Sequence, residues 1–162
     1  MSNTTNEVTI DEMDAITDAS EAPVSTERFL TFNSDGLTFG ISTNYVTEII
    51  TNHTITNLPL VPNYVKGIIN LRGQIIPIID IRLRMGKPAI SYTNHTCIIV
   101  LNIDSVYIGI IVDMVQQVID IDKDMISSMP IEDRKELVNG MITFDESSVL
   151  LFLDCEQLVK AY

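Results

Sequence analysis

Apolar residues in this chain form short runs of strand length from residue 28 onward. The runs are rich in β-branched and aromatic side chains, and Gly, Asn, Asp and Ser separate them as turns require. The pattern predicts strands at residues 29–32, 37–41, 75–79, 97–101, 106–112 and 149–153. Pro77 is expected at a sheet edge or bulge, because proline cannot donate to a ladder. Asp80 and Asp154 are positioned to cap two short helices, the second at the C-terminus.

The same order of strands occurs twice along the chain. Residues 39–49 align without gaps with residues 108–118, and residues 65–69 align with residues 138–142. A unit of about 70 residues with four or five short strands suits a small barrel, because closure removes exposed strand edges. Two barrels packed together would bury strands on both faces, which explains apolar runs without polar alternation. We therefore predict two pseudo-repeated five-stranded barrels around a shared core.

The two copies differ at one hairpin. The first copy has Asn-Leu-Arg-Gly-Gln at residues 70–74, whereas the second has Thr-Phe-Asp-Glu-Ser-Ser at residues 143–148. Gly67 and Gly73 bracket this hairpin, as expected where the backbone needs a positive φ or a close approach. Arg72 within it carries a planar guanidinium suited to bidentate pairing with a carboxylate. A duplicated scaffold with one divergent hairpin indicates that function was added there.

Negative charge is concentrated at the start of the chain. The formal net charge is -12, and seven of the 22 acidic residues precede Arg28, the first basic residue. Residues 1–26 are also poor in apolar side chains, so we predict an acidic disordered tail followed by a folded domain over residues 27–162. Within that domain, the two barrels are expected to interleave over roughly residues 27–90 and 91–155. The acidic balance disfavours binding to nucleic acid or directly to membranes.

The sequence offers little that could carry catalysis. His53 and His95 are isolated among Asn and Thr, no glycine-rich phosphate loop occurs, and neither a metal nor another cofactor is predicted. Cys97 and Cys155 lack CxxC spacing and are interpreted as reduced thiols. The start of the chain has no secretory pattern, and no apolar run is long enough to span a bilayer. We expect a cytoplasmic protein that is not an enzyme.

Residues 65–82, with the sequence VKGIINLRGQIIPIIDIR, resemble the signature of the CheW family, the coupling proteins of bacterial chemotaxis. The resemblance extends over about residues 28–160 and includes residues 45–50 and 112–115. It implies the fold of this family, namely two five-stranded SH3-like barrels. It also implies an adaptor without catalytic activity that joins the regulatory domain of the histidine kinase CheA to the cytoplasmic tips of methyl-accepting receptors. Such a protein is expected to be monomeric when free and to reach membrane receptor arrays through its partners.

The resemblance also implies a set of interface residues. Glu48, Gly67 and Arg72 fall on coupling positions, and Glu48 and Arg72 are expected to form an ion pair. The receptor tip is expected in the groove between the barrels, against apolar side chains of the upstream strand and the second copy. The predicted protein-binding residues are Val46, Glu48, Ile49, Gly67, Asn70, Leu71, Arg72, Gly73 and Val112. For Val46, Ile49 and Val112 the alternative is core packing. For Gly67 the alternative is a structural turn.

Other functions remain open at this point. The chain could resemble the coupling half of CheV, although it ends at Tyr162 without room for a receiver domain. It could also serve a chemosensory pathway that does not control motility. Outside this family, an acidic small-barrel module with unrelated partners, a nucleic-acid binder and an unrecognised enzyme are the alternatives. The missing aromatic and basic stripes count against nucleic-acid binding.

Overall fold

The computed structural model describes residues 25–129 and 137–160, and it is built mainly from β-strands. All six predicted strands are present, so the mainly β prediction is confirmed. The predicted tail lies outside the described residues as far as residue 24, and Thr26 already belongs to the first strand. The strands are β1 (Thr26–Ser34), β2 (Leu37–Ser42), β3 (Val46–Ile50), β4 (Val65–Leu71), β5 (Gln74–Asp80), β6 (Cys97–Ile103), β7 (Val106–Val112), β8 (Met114–Asp122), β9 (Ser127–Ser128), β10 (Val138–Asp145) and β11 (Ser148–Leu153).

The helices are short, and aspartates begin them as predicted. Helix α1 (Ile81–Arg84) is capped by Asp80, whose carboxylate accepts hydrogen bonds from the backbone N–H groups of Arg82 and Leu83. Helix α2 (Cys155–Lys160) follows Asp154, whose Oδ1 accepts a hydrogen bond from the Gln157 N–H at 3.2 Å. Both caps satisfy donors that the first helical turn leaves free. A 3-10 turn (Lys123–Met125) separates β8 from β9.

The strands form two sheets with the same internal order. One sheet has six strands in the order β8-β1-β2-β11-β10-β9, and the other has five in the order β3-β6-β7-β5-β4. The two-residue strand β9 has a counterpart in the five-stranded sheet, an isolated bridge between Thr56 and Ile68. The prediction of five strands in each unit is therefore corrected to six and five, the sixth being this short strand.

The two copies of the repeat exchange their first hairpins. The β1–β2 hairpin from the first copy lies among β8, β10 and β11, while the β6–β7 hairpin from the second copy lies among β3, β4 and β5. The parallel pairs match as well, since Phe152 pairs with Gly40 and Ile78 pairs with Gly109. Neither sheet is therefore formed from residues 27–90 or from residues 91–155 alone.

Each sheet bends until its two edges approach each other. In the six-stranded sheet the last strand, β9, follows the first, β8, after only the 3-10 turn. In the five-stranded sheet, β3 and β4 are opposite edges, yet the chain just after β3 bridges to β4 through Thr56 and Ile68. This approach of the edges is consistent with the predicted barrels, because curling covers strand edges that would otherwise remain unpaired.

Buried apolar side chains of the described residues form a shared core and one smaller core for each sheet. In β6, Ile99 and Leu101 face the shared core, whereas Ile98 and Val100 face the core of their own sheet. The strand is therefore apolar on both faces, as its unbroken run predicts. The smaller core of the six-stranded sheet contains Phe29, Ile121, Ile142, Leu150 and Phe152.

Pro77 does not lie at an edge, which corrects the sequence-based prediction. It is part of β5, an inner strand between β7 and β4, where it pairs with Ile68. The pairing of β5 with β7 begins at Ile78, one residue later. An inner strand can accommodate the missing N–H because the ladder on that side starts only after the proline.

Candidate functional site

The β4–β5 hairpin turns at Arg72 and Gly73, and both residues have positive φ angles, 54° and 86°. Two consecutive residues with positive φ make the turn that best matches the twist of the flanking strands. The Asn70 side chain steadies it, because its Oδ1 accepts a hydrogen bond from the Gly73 N–H at 2.9 Å. Glycine adopts positive φ freely, but an arginine there carries strain of about 1–3 kcal/mol.

Arg72 forms a two-pronged ion pair with Glu48 of β3. Its Nη1 donates to Oε1 of Glu48 at 2.5 Å, and its Nη2 donates to Oε2 at 3.4 Å. The Arg72 side chain is 73% exposed and the Glu48 side chain 25% exposed, so the pair lies open to solvent at its arginine end. The hydrogen bonding from Arg72 to Glu48 lowers the pKa of Glu48 and raises the pKa of Arg72.

The ion pair joins the two edges of the five-stranded sheet. Glu48 lies on one edge strand, β3, and Arg72 lies on the hairpin that ends the other, β4. The corresponding residues of the second copy are Gln117 and Asp145, which cannot form an ion pair. Asp145 instead accepts hydrogen bonds from the backbone and hydroxyl groups of Ser147. The pair is thus specific to the first copy, as the divergence of the hairpin predicts.

Several predicted interface residues surround this pair. Asn70 and Gly73 are exposed on the hairpin, and Leu71 is partly buried against the core of the five-stranded sheet. On β3, Ile49 is 41% exposed, whereas Val46 packs partly against the shared core. The ion pair brings the hairpin next to the β3 edge, and we call this region the Glu48–Arg72 surface, comprising Glu48, Ile49, Asn70, Arg72 and Gly73.

Besides the partly buried Val46 and Leu71, two further predicted residues do not belong to that surface. Val112 is fully buried in the shared core, so the expected contact in a groove is corrected to a packing role. Gly67 does not bracket the hairpin; it lies in a bulge near the start of β4 with a φ of 142°. A Cβ atom there would lie 2.0 Å from the backbone oxygen of Thr56, so only glycine fits. Its role is to admit the neighbouring backbone.

Sequence reasoning missed a second charged cluster that joins the two sheets. Arg82 in α1 donates to Oδ1 of Asp35 at 2.7 Å and to Oδ2 of Asp113 at 2.5 Å, and its side chain is only 11% exposed. Asp35 lies in the β1–β2 turn, and Asp113 lies between β7 and β8. These residues are far apart in sequence, and no short motif links them, so only the topology reveals the cluster.

Sequence reasoning also missed Ile75, an exposed apolar residue beside the hairpin. Ile75 begins the run that was predicted as a buried strand, yet it is 54% exposed. Its counterpart in the second copy, Val149, is also exposed, at 40%. Their position in the sequence could have indicated this exposure. Each residue is the second of its strand, directly after a hairpin turn, where neighbouring strands cover the side chains less.

The described residues show neither a metal site nor a membrane span. No three His, Cys, Asp or Glu side chains lie together in a way that could hold an ion, within residues 25–129 and 137–160. None of the helices in the same residues is both long and apolar enough to cross a bilayer.

The lowered pKa of Glu48 gives a direct test of the ion pair. In the Arg72→Asn variant the turn is kept, because asparagine tolerates positive φ, and the pKa of Glu48 should rise toward its ordinary value of 4.5. Since folding lowers this pKa, the pair stabilises the native state above the unfolded pKa, and that contribution is lost as the pH falls through the folded value. Carboxyl NMR titration measures the midpoint directly. An unchanged midpoint would show that the pair does not persist in solution.

Comparison with known proteins identifies a family for this fold and site. The family model described as the CheW-like domain matches residues 28–162. The chemotaxis protein CheW of Klebsiella aerogenes is 32% identical over 138 residues, which cover 83% of this chain and 82% of that protein. The chemotaxis protein CheW of Bacillus subtilis is 35% identical over 104 residues, covering 64% of this chain and 67% of that protein.

A solved structure has the same architecture. The crystal structure of the scaffolding protein TtCheW from Thermoanaerobacter tengcongensis superimposes with a TM-score of 0.73 at 29% sequence identity. The match covers 79% of this chain and 88% of that chain. Fold and sequence therefore agree on one family.

Proposed function

This chain belongs to the CheW-like family of chemotaxis proteins, and on that premise we propose that it is a non-catalytic adaptor coupling methyl-accepting receptors to a CheA-type histidine kinase. The family assignment and the scaffolding role named for TtCheW support the general role of an adaptor. The Glu48–Arg72 ion pair is the observation that carries the proposal for this molecule, because it occurs in only one of the two copies of the repeat.

The geometry of the pair suits recognition better than stabilisation. Exposed ion pairs contribute little to stability, because water and salt screen them. A strained arginine held in place by a two-pronged bond is instead oriented toward solvent, where it can select a partner of complementary charge. The proposed role of Arg72 is therefore to orient and select the kinase regulatory domain or the receptor tip.

Apolar contact would supply the remaining affinity. Ile49 and Ile75 are both more than one third exposed. Ile49 lies on β3 beside Glu48, and Ile75 lies on β5, which follows the turn at Arg72. Apolar side chains beside oriented charges are typical of interface centres, where desolvation makes contacts count. In this proposal, the helical tip of a receptor rests against the β3 edge near Ile49.

Calorimetric titration against the regulatory domain of the CheA of the same organism, and against a receptor fragment, tests the proposal. We expect Arg72→Asn and Glu48→Gln each to weaken binding to at least one partner by about tenfold. The matched control is Arg28→Gln, which removes another exposed ion pair, that of Arg28 with Asp120 on the six-stranded sheet. This control should bind like the wild type.

The outcomes separate the family role from the site. If the wild-type chain binds neither partner, the adaptor proposal is wrong. If it binds both and the Arg72 and Glu48 variants bind equally well, the adaptor role stands and the Glu48–Arg72 surface is not the interface.

A further inference from the structure

The β10–β11 hairpin of the second copy contains a bulge that the first copy lacks. The register of β10 against β11 shifts between Thr143 and Asp145, so Phe144 is the extra residue of a β-bulge. The β4–β5 hairpin has no register shift near its turn. Bulges redirect side chains and are frequent beside functional sites. Here the extra residue is a large apolar side chain that is 58% exposed.

A cavity of ≈ 660 Å³ lies beside this bulge, and its walls include residues of β8 and of the β10–β11 hairpin. Its polar groups are hydroxyls, amides and one carboxylate, that of Asp120, which already pairs with Arg28 at 3.0 Å. Neither lysine nor arginine is among the described residues that line it. The apolar lining side chains are Leu37, Ile119, Phe144, Val149 and Leu150. The cavity is therefore mainly apolar and carries no free positive charge.

The strand β10 has an unpaired edge next to this cavity. On the side away from β11, β10 pairs with β9, but only at Gly140 and Met141. The remaining residues of β10, Ile142–Asp145, have no ladder partner on that side within residues 25–129 and 137–160. We call the outer side of these four residues the open edge. Its backbone N–H and C=O groups are available to pair with another strand.

The first copy closes the equivalent gap with its own side chains. There the outer side of β4 is bridged at Ile68 by Thr56, and the Glu48–Arg72 ion pair joins the hairpin to β3 beyond that bridge. The second copy lacks this ion pair, because the carboxylate of Asp145 accepts hydrogen bonds from its own turn. The same place is thus bridged in one copy and left open in the other.

The short strand β9 shows which kind of segment the edge of β10 accepts. It is an extended piece of chain that pairs antiparallel with β10, and its ladder ends where the open edge begins. Another extended segment in line with β9 would continue that ladder, because strands pair through backbone groups that any sequence supplies. Every second side chain of such a segment would point toward one face, where the apolar lining of the cavity can receive it.

Charge disfavours both this chain's own N-terminal part and another molecule of this protein as that segment. Asp145 and Glu146 lie at the end of the open edge, and seven acidic residues precede Arg28 at the start of the chain without one basic residue. The N-terminal part would therefore bring negative charge to negative charge. Pairing of two open edges would likewise bring together two sets of the same carboxylates.

We propose that the open edge binds an extended segment of a partner protein by strand addition. The segment would have apolar side chains at alternate positions, packed against Phe144 and Val149 in the cavity, and a basic residue near Asp145 and Glu146. The inference is independent of the Glu48–Arg72 surface, which belongs to the other sheet, and of the proposed coupling function.

NMR of the ¹⁵N-labelled full chain with a synthetic peptide tests this inference. The probe is acetyl-KTVTVTVK-amide, which favours an extended conformation and carries a lysine at each end, raised to about 1 mM because so short a strand binds weakly. We expect saturable shifts at the amides of Thr143, Phe144 and Asp145. Hydrogen exchange of at least one of them should also slow, because an added strand protects the N–H groups that face it.

A methylated peptide separates strand addition from simple attraction. The control has the same sequence with N-methyl groups on its four central residues, which keeps the side chains and charges but blocks backbone pairing on both of its edges. We expect neither saturable shifts nor slower exchange with this control.

Two variants and one control variant locate the site. Phe144→Ser removes the bulged apolar side chain and should raise the dissociation constant of the probe about tenfold. Val149→Thr keeps the side-chain shape but makes it polar, so it should weaken binding too and provides a second measurement if Phe144→Ser disturbs the bulge. Val106→Ser changes an exposed apolar residue at the start of β7, in the other sheet, and should leave binding unchanged.

Three results would overturn the proposal. The first is the absence of saturable shifts at the open edge with the probe. The second is equal binding of the methylated peptide, which would indicate attraction without backbone pairing. The third is protection of all three amides in the free chain. If that protection is independent of protein concentration, the chain's own residues occupy the edge; if it rises with concentration, another molecule of this protein does.

Discussion

Substituting alanine for Gly67 should abolish the native fold or destabilise it by about 4 kcal/mol or more. The added Cβ atom would lie 2.0 Å from the backbone oxygen of Thr56 and 2.9 Å from the Ile55 side chain, at a φ of 142° that alanine avoids. Thr56 exchanges two backbone hydrogen bonds with Ile68, so its backbone cannot withdraw without opening the edge of the five-stranded sheet. Chemical denaturation followed by circular dichroism measures the loss.

The repeat supplies a matched control for this substitution at Gly140. A Cβ atom at Gly140 would meet the Ile126 side chain at 3.0 Å and the Ser127 backbone oxygen at 3.3 Å, contacts that small shifts can relieve. Gly140→Ala should therefore cost only about 1 kcal/mol. Equal stability losses for the two variants would contradict the claim that backbone approach at Gly67 is the decisive difference.

Replacing Arg82 with methionine should lower the free energy of unfolding by about 3 kcal/mol. The methionine retains most of the apolar stem but leaves Asp35 and Asp113 facing each other without the cation that they share. Thermal and urea denaturation measure the change. The matched control is Arg28→Met, which removes an ion pair whose two side chains are 65% and 57% exposed and should alter stability by less than about 0.5 kcal/mol.

A triple variant tests the cause of that loss. Adding Asp35→Asn and Asp113→Asn to Arg82→Met removes the two carboxylates that have lost Arg82, of which Asp35 keeps only the more exposed Lys87 at 3.7 Å. Asparagine tolerates the positive φ of 54° at residue 35. Most of the lost stability should return, because replacing a whole buried ionic group is far less costly than removing one partner. If the triple variant is no more stable than Arg82→Met, packing of the guanidinium is responsible rather than charge.

Local patterns in the sequence were enough to predict six of the eleven strands, the caps and the duplication. Apolar runs and turn residues are local properties, and the caps at Asp80 and Asp154 depend only on the next few residues. The strands β3 and β8 were not predicted from pattern, because edge positions leave them with polar and exposed residues such as Glu48 and Gln117. The weak alternation of an edge strand is thus the physical reason for these misses.

Relations between distant parts of the chain could not be derived in the same way. The family resemblance implied the pairing of Glu48 with Arg72, and the structure contains that ion pair, while its role in binding stays a prediction. The burial of Val112 and the cluster around Arg82 depend on which strands become neighbours. Equivalent sequences could have paired within each half, and nothing in a local run distinguishes that arrangement from the observed exchange of hairpins.

That exchange sets an order for folding during synthesis on the ribosome. The five-stranded sheet has all its strands once the chain has been made as far as Val112, whereas the six-stranded sheet must wait for β11 at Ser148–Leu153. The β1–β2 hairpin, although translated first, lacks β8 until Asp122 has been made and β11 until Leu153 has been made, and these strands are the neighbours that cover its edges. Nascent chains stalled between these points should therefore contain one finished sheet and an early hairpin that depends on chaperones for protection.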